Sequence, residues 1–470
     1  MLLLDLFYLL TMAILSPWLL WRAAATGRYR RDLAAKFLGR GAFSGPEEKQ
    51  VAWFHAVSVG EVNLLGTLVP AFRKRHPEWL VVVSSTTDTG LAEARRRFTD
   101  LPVMAWPLDF SWAVSAALRR VRPRLVVLTE SEMWPNFLRA ARREAIPVIV
   151  VNARMSPRSF QRLRRFAGFA RKLLFDRVTR IAVQEPEYAE RFRQLGVPVA
   201  KLVTTGSVKY DGASGLCLPS QSDSLRRLLG IKEQETGDRE EKTGNRRQGT
   251  GDTLLPVPCP LSPIPYSLTP AIWLAGSTHA PEESIVLGVF ARIFERFPQL
   301  RLILVPRHPD RFEEVARLVE QTRLPFVRRS RITEPLAALP AIVLLDTIGE
   351  LGAAWSLADV GFTGGSLDGH RGGQSMIEPA GYGVPCLFGP HVWNFKDAAR
   401  RLVEIGGAIM VNDAGELERE LTKLLADVGL RERMGAAARD LVHRQQGATG
   451  RTLQVIDDVL GNQEFARQAA

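Results

Sequence analysis

Cysteine is scarce in this chain of 470 residues: only Cys217, Cys259 and Cys386 are present, with no CxxC pair. That excludes a disulfide framework and fits a reducing compartment. The seven histidines are scattered, none at HxxxH spacing, so the sequence offers no metal site and no cofactor is expected. Acidic residues fall short of basic ones, 50 against 62, leaving a net charge of +12. Such a surplus suits anionic partners: phosphorylated lipids, nucleotides or acidic membranes. A merely basic, solvated surface is the alternative. No nucleic-acid motif and no ladder of basic and aromatic residues accompanies the charge, so nucleic acid is not an expected partner. Long apolar runs are missing as well, with one exception at the start.

Residues 2–21 are almost wholly apolar, with Asp5 as the one charge. About 20 helical residues match a bilayer core of ~30 Å. Arg22, Arg28, Arg30, Arg31, Lys36 and Arg40 follow the run. Positive residues stay on the cytoplasmic side, and a cleaved signal peptide carries its charge ahead of the apolar stretch. Residues 1–22 are therefore expected to be a single-pass membrane anchor touching membrane lipids, with the rest on the cytoplasmic face. A helix lying on the membrane is the alternative, and Asp5 favours that shallower position.

From residue 50 onward, short Val/Ile/Leu-rich runs at 51–57, 80–85, 124–129, 147–152 and 180–184 alternate with amphipathic stretches at 61–75, 113–121, 134–143 and 186–195. That alternation predicts buried parallel strands covered by helices. It stops at 212–270, a segment rich in Gly, Pro, Ser and Thr whose part 232–252 has almost no large apolar residue. A flexible insertion or linker is expected there. The alternation resumes with strands at 271–275, 300–305, 341–345, 359–362 and 384–388, and helices at 282–296, 311–320, 376–382 and 394–405. Helices at 416–425, 430–445 and 452–460 close the chain. The predicted fold is α/β, with two doubly wound Rossmann-like domains, 23–211 and 271–447, facing a cleft, and a closing helix and tail at 448–470. In such sheets ligands bind beyond the carboxyl ends of the strands.

Six motifs fall at such ends. HAVSVGEV (55–62) puts a turn of Ser58, Val59 and Gly60 ahead of Glu61 in the first helical turn. Glu61 there either faces the cleft or only complements the helix dipole. TESEMWPN (129–136) carries Glu130 and Glu132 two residues apart. They can share a proton, stabilise positive charge, or cap the next helix. VNARMSPRS brings Asn152, Arg154 and Ser156 to the next strand end, where an arginine can pair with a substrate carboxylate. GSVKYD (206–211) holds Lys209, a cation suited to a leaving phosphate. In the second domain VPRHPDR places Pro306 and Arg307 at a strand end. The glycine-rich stretch 364–385 leads into a helix near Ser375 whose N–H groups would receive an anion, with Glu378 one turn in for ribose hydroxyls.

Taken together, in this order, the motifs resemble those of the transferases of 3-deoxy-D-manno-octulosonic acid (Kdo) in lipopolysaccharide assembly. The likeness runs from the N-terminal segment to about residue 413, interrupted at 212–270. It implies a GT-B fold in the cell inner membrane and an inverting, metal-independent transfer of Kdo from CMP-Kdo to the tetraacylated lipid A precursor. It also implies residue roles. Glu61 would be the general base, with Glu130 and Lys209 as supporting charges and Glu132 as the rival for the acidic role. Ser58, Gly60, Arg154 and Ser156 would line the substrate. CMP would be held by Pro306, Arg307, Ile348, Gly349, Glu350, Leu351, Ser375, Met376, Ile377 and Glu378. One departure stands out: Gln374 and Ser375 replace the family's usual His-Asn pair, in a loop about one residue longer that includes His370 and Arg371. Two alternatives remain open at this stage: a UDP-sugar transferase of envelope lipid synthesis, and a non-catalytic sugar-nucleotide-binding membrane protein.

Overall fold

The computed structural model describes residues 2–26, 32–41, 43–46, 48–212, 219–231 and 271–468. Arg28, Arg30, Arg31, Cys217, Cys259 and most of the expected insertion lie outside them. The chain divides into two compact units, one of Met1–Ala213 with Arg444–Ala470 and one of Ser214–His443.

The first unit is built on seven parallel strands. They are β1 (Val51–Ala56), β2 (Leu80–Ser85), β3 (Val103–Ala105), β4 (Leu125–Thr129), β5 (Val148–Ala153), β6 (Arg180–Val183) and β7 (Leu202–Thr204), in the order β3-β2-β1-β4-β5-β6-β7. Every residue of β1, β4 and β5 is buried. Strands covered on both faces need apolar side chains in both registers, which is why they read as continuous runs. Trp53 points to one core with Val126 and Phe137, and Phe54 to the other with Val127 and Phe72. The C-terminal helix Ala448–Gln468 completes that second core with Leu453, Ile456 and Val459. Asp211 ties the helix in by accepting the N–H groups of Gly447 and Thr449.

The second unit repeats the plan with β8 (Ile272–Thr278), β9 (Arg301–Pro306), β10 (Phe326–Arg328), β11 (Ile342–Leu344), β12 (Val360–Thr363), β13 (Cys386–Phe388) and β14 (Ala408–Met410). Their order is β10-β11-β9-β8-β12-β13-β14, again with every pair parallel. In the first unit the chain winds outward from β1 through β2 to β3 and then the other way from β4; in the second it runs from β8 through β9 to the β10 edge, returns to β11 between β9 and β10, and then crosses to β12. The switch points therefore lie between β1 and β4 and between β8 and β12, where a crevice opens beyond the strand ends.

Two expectations need correction. The segment expected as a linker at 212–270 contains a folded part: Leu225 of the helix Pro219–Leu228, and Leu229 just after it, pack into the second unit's core beside Trp355 and Leu274, while 213–218 and 232–270 lie outside the described residues. Its spaced leucines were masked by the polar residues around them. The apolar N-terminal run does form a helix, Leu2–Thr26, but among the described residues no helix is long and apolar enough to cross a membrane. Its Asp5 is buried and bonded to the body of the first unit. Asp5 accepts the Ser111 N–H at 2.9 Å, the Ser111 hydroxyl at 2.5 Å and the Asn136 amide at 3.0 Å. Tyr8 donates to Asp109 at 3.1 Å, and Asp109 accepts the N–H groups of Asn136 and Phe137. The Asn that closes TESEMWPN thus helps to hold this helix.

Candidate active site

In the first unit the register of β1 with β4 pairs His55 with Leu128, so the two strands end side by side. Val57 to Glu61 follow one and Glu130 to Glu132 the other. Glu61 lies in the first turn of the helix Val59–Arg75 and is 9 % exposed. It accepts the Val57 N–H at 2.9 Å, the Ser58 hydroxyl at 3.1 Å and, across the switch point, the Thr129 hydroxyl at 2.6 Å. Burial pushes its carboxyl above the ordinary value, and the charge of Glu130 adds to the rise, while the three hydrogen bonds hold it back. Such a group is a better proton acceptor near neutral pH than an exposed glutamate.

Glu130 has a left-handed backbone, φ 56°. A residue with a Cβ adopts that conformation at a cost of roughly 1–2 kcal/mol, so the surroundings must enforce it. Its N–H donates to the Val151 carbonyl at 2.9 Å, and its carboxylate pairs with Arg154 at 3.0 Å and Lys209 at 3.5 Å. Glu132 is half-buried. Burial raises its carboxyl, and the charges of Glu61 and Glu130 raise it further. The structure therefore brings three carboxylates and two cations together at one strand-end crevice, drawn from four sequence motifs.

The same geometry gives other motif residues a supporting place. His55 is fully buried, stacked on Trp106 at 3.9 Å and bonded to Ser84; burial lowers it to about 3, so it stays neutral. Ser156 caps the helix Pro157–Arg164 by accepting the Ser159 N–H at 3.1 Å. Gly60 has no atom except the Ser58 hydroxyl within 4 Å of where a Cβ would stand. Asn152, also left-handed at φ 53°, accepts the Val208 N–H at 3.2 Å and so aims the short helix Val208–Asp211 that carries Lys209.

In the second unit Pro306 ends β9, and exposed Arg307 follows with its N–H on the Thr278 carbonyl at 3.0 Å. Glu378, partly buried, is raised by burial and lowered by the charge of Arg307 and by a hydrogen bond from Ser375, so these three residues form one group. Met376 and Ile377 are core residues, leaving only their backbone for a ligand. Of the 348–351 turn, Ile348 is exposed and Gly349 has a left-handed φ of 93°. Glu350 pairs with Arg329 at 2.7 Å and starts the helix Leu351–Trp355. Among the described residues no group of three His, Cys, Asp or Glu side chains is arranged to hold a metal ion.

The glycine-rich stretch departs from its sequence reading in one respect. The helix it leads into is only five residues, Ile377–Gly381. Ahead of it, in the loop directly after β12, three consecutive N–H groups are already occupied: those of Gly365, Ser366 and Leu367 donate to Glu282 at 2.6, 2.8 and 3.0 Å. Glu282 is fully buried and also accepts the N–H of His279 at 3.2 Å. Gly364 is required here, since a Cβ would stand 2.6 Å from both the Ser277 carbonyl oxygen and the Thr278 Cα. Neither Glu282 nor buried His279 was legible as a site residue. The only signal was acidic residues at a helix start, which is common.

A family profile described as 3-deoxy-D-manno-octulosonic-acid transferase (kdotransferase) matches residues 32–212. A solved UDP-N-acetylglucosamine 2-epimerase covers 89 % of this chain and 97 % of its own, with TM-score 0.53 and 12 % identity. At that identity it bears on the fold alone, and with the two parallel-sheet units it makes the fold GT-B. The crystal structure of the C-terminal CMP-Kdo binding domain of WaaA from Acinetobacter baumannii is 31 % identical over 37 % of this chain and 90 % of its own, with TM-score 0.36. The 3-deoxy-D-manno-octulosonic acid transferase of Bordetella pertussis is 32 % identical over 467 residues, covering 97 % of this chain and 99 % of its own. Identity at that level, sustained from end to end of both chains, shows that this chain belongs to the 3-deoxy-D-manno-octulosonic acid transferase family.

Proposed function

We propose that this glycosyltransferase moves Kdo from CMP-Kdo to the lipid A precursor, lipid IVA, in lipopolysaccharide core assembly, with the first unit serving the acceptor and the second the donor. The observation that carries the catalytic reading is Glu61, a buried carboxylate of raised proton affinity at the switch point, beside a paired Glu130. Glu61 takes the proton of an acceptor hydroxyl as its oxygen attacks the anomeric carbon from the face opposite CMP. The new C–O bond forms, the bond to the CMP phosphate breaks, and CMP leaves with the electron pair, inverting the centre. Glu130, held between Arg154 and Lys209, fixes the position of both cations, and Lys209 offsets charge developing on the phosphate. On the donor side Arg307, Ser375 and Glu378, with the backbone of Met376 and Ile377 and the 348–351 turn, hold CMP.

The chain works at the cytoplasmic face of the inner membrane. Leu6, Phe7, Leu10, Ile14 and Trp21 on the N-terminal helix are exposed. A second patch supports the same reading: Phe166 and Phe169, each 68 % exposed, stand among Arg158, Arg162, Arg164, Arg165, Arg171 and Lys172, with no acidic residue from 157 to 173. Apolar rings ringed by cations suit an anionic lipid surface. Flotation with vesicles containing anionic phospholipid should carry the protein upward, and R164E/R165E should reduce that. Equal flotation of both proteins would remove this patch from the membrane contact.

The test of the reaction is a product assay with CMP-Kdo, generated in place, and lipid IVA. Mass spectrometry should show the acceptor heavier by one or more Kdo units. Folded protein that binds CMP yet leaves lipid IVA unchanged would overturn the acceptor assignment.

A further inference from the structure

The chemistry left unassigned lies at the β8/β12 switch point. The N–H groups of residues 365–367 form a nest of the kind that receives phosphate. Here an internal carboxylate fills it. Four N–H donors converge on the two oxygens of Glu282, and a proton on that carboxyl would have no acceptor in the nest. The 365–367 loop is thus closed to the donor phosphate, while the helix start near Ser375 lies further along the chain.

The same carboxylate fixes a neighbour. Through the His279 N–H, Glu282 joins the loop after β8 to the loop after β12. The His279 side chain is 2 % exposed, its Nδ1 has no hydrogen-bond partner, and its Nε2 lies 3.5 Å from the Gln374 amide nitrogen. Burial holds this imidazole neutral, down at about 4, and the charges of Arg371, His308 and Arg307 act in the same direction. The His308 ring packs edge-on against it at 5.1 Å. An uncharged imidazole with an unused nitrogen, near Arg371, His308 and Arg307 and with Asp368, itself paired with Arg371, as the acidic group acting on it, is suited to receive an anion. Gln374, one of the two residues at which this chain departs from the family's usual pattern, supplies its neighbour.

We propose that Glu282 is a positioning residue of the donor half: a built-in anion that seals the 365–367 nest and thereby holds His279, with Gln374, as the group that meets the donor's phosphate. This rests on the reading of the second unit as the CMP-Kdo side.

The experiment is titration of the full chain with CMP and, as a control without the phosphate, cytidine, for wild type, E282Q, H279Q and the double variant. E282Q keeps an amide oxygen for the N–H groups, and its folding is checked by melting. Each single change should weaken CMP about tenfold or more, since a buried polar group loses its partner, and leave cytidine within about twofold. The double variant should be no weaker than the weaker single, because both act through one element. E282Q that melts lower but binds CMP as wild type does would overturn the positioning role. So would equal losses of CMP and cytidine, which would mark a general loss of structure. Wild-type protein that binds no CMP would remove the donor reading, and the proposal with it.

Discussion

Glu61 and Glu282 stand at equivalent places in the two units. Each lies in the first turn of the helix that follows its unit's first strand, and each reaches across the switch point, Glu61 to the last residue of β4 and Glu282 to the loop after β12. Burial raises both carboxyls. The difference is in the donors. Glu61 receives one backbone N–H and two hydroxyls and has Glu130 and Glu132 nearby. Glu282 receives four backbone N–H groups. Hydroxyls can rotate away and accept as well as donate; backbone N–H groups do neither. One doubly wound plan thus offers the same carboxylate twice. The loop opposite decides whether it is free to exchange a proton or is fixed as part of the scaffold.

The largest effect should come from breaking that contrast directly. Glu61→Gln should lower turnover by about 100-fold or more, the usual share of general base catalysis, while CMP affinity stays near wild type. Glu282→Gln should do the reverse, weakening CMP and changing turnover at saturating donor much less. Turnover rates and CMP titrations of the pair, measured side by side, check this. Near-normal turnover in Glu61→Gln would remove Glu61 from the base's role.

Much of the fold was legible because buried parallel strands are long apolar runs. β1, β2, β4, β5, β8 and β9 fall within a few residues of their expected positions. The strands that escaped notice are β3, β7, β10 and β14, which are the two edges of each sheet. All four have three residues, and edge strands are half-solvated, so neither length nor hydrophobicity marks them. The site was legible in part. Motif order singled out Glu61, Glu130 and Lys209, and the fold places Glu130 and Lys209 as an ion pair with Glu61 nearby. Asn152, which aims Lys209, stood in a quoted motif without a role. Glu282 was not noticed, since its four partners come from two segments about 85 residues apart and no local pattern encodes that meeting.

The helix Pro219–Leu228 tests where the second unit begins. Leu229 is fully buried beside it. Leu229→Ala should cost about 2–5 kcal/mol, read as a lower denaturant midpoint. An unchanged midpoint would return 219–231 to the linker. The charge pair gives a smaller effect. Lys209→Ala should lower kcat/KM by about tenfold, near the worth of one charge-assisted contact, with little change in melting temperature. If neither turnover nor CMP affinity moved, Lys209 would have no part in the reaction.

The smallest expected change sharpens the comparison most, because it touches only the kind of donor. The Thr129 hydroxyl reaches Glu61 at 2.6 Å and favours its ionised form. A general base works only when deprotonated, so the acid limb of the kcat/KM profile follows the Glu61 carboxyl. Thr129→Val keeps the shape of the side chain and removes that hydrogen bond, so Glu61 should hold its proton more tightly and the limb should move to higher pH. Glu130→Gln removes a neighbouring negative charge, so there the limb should move to lower pH. Opposite shifts in the two profiles would mean that Glu61 titrates under the control of the β4 end. Identical profiles would mean that the rate-limiting proton belongs to another group, and the distinction between an exchangeable Glu61 and a fixed Glu282 would lose its chemical basis.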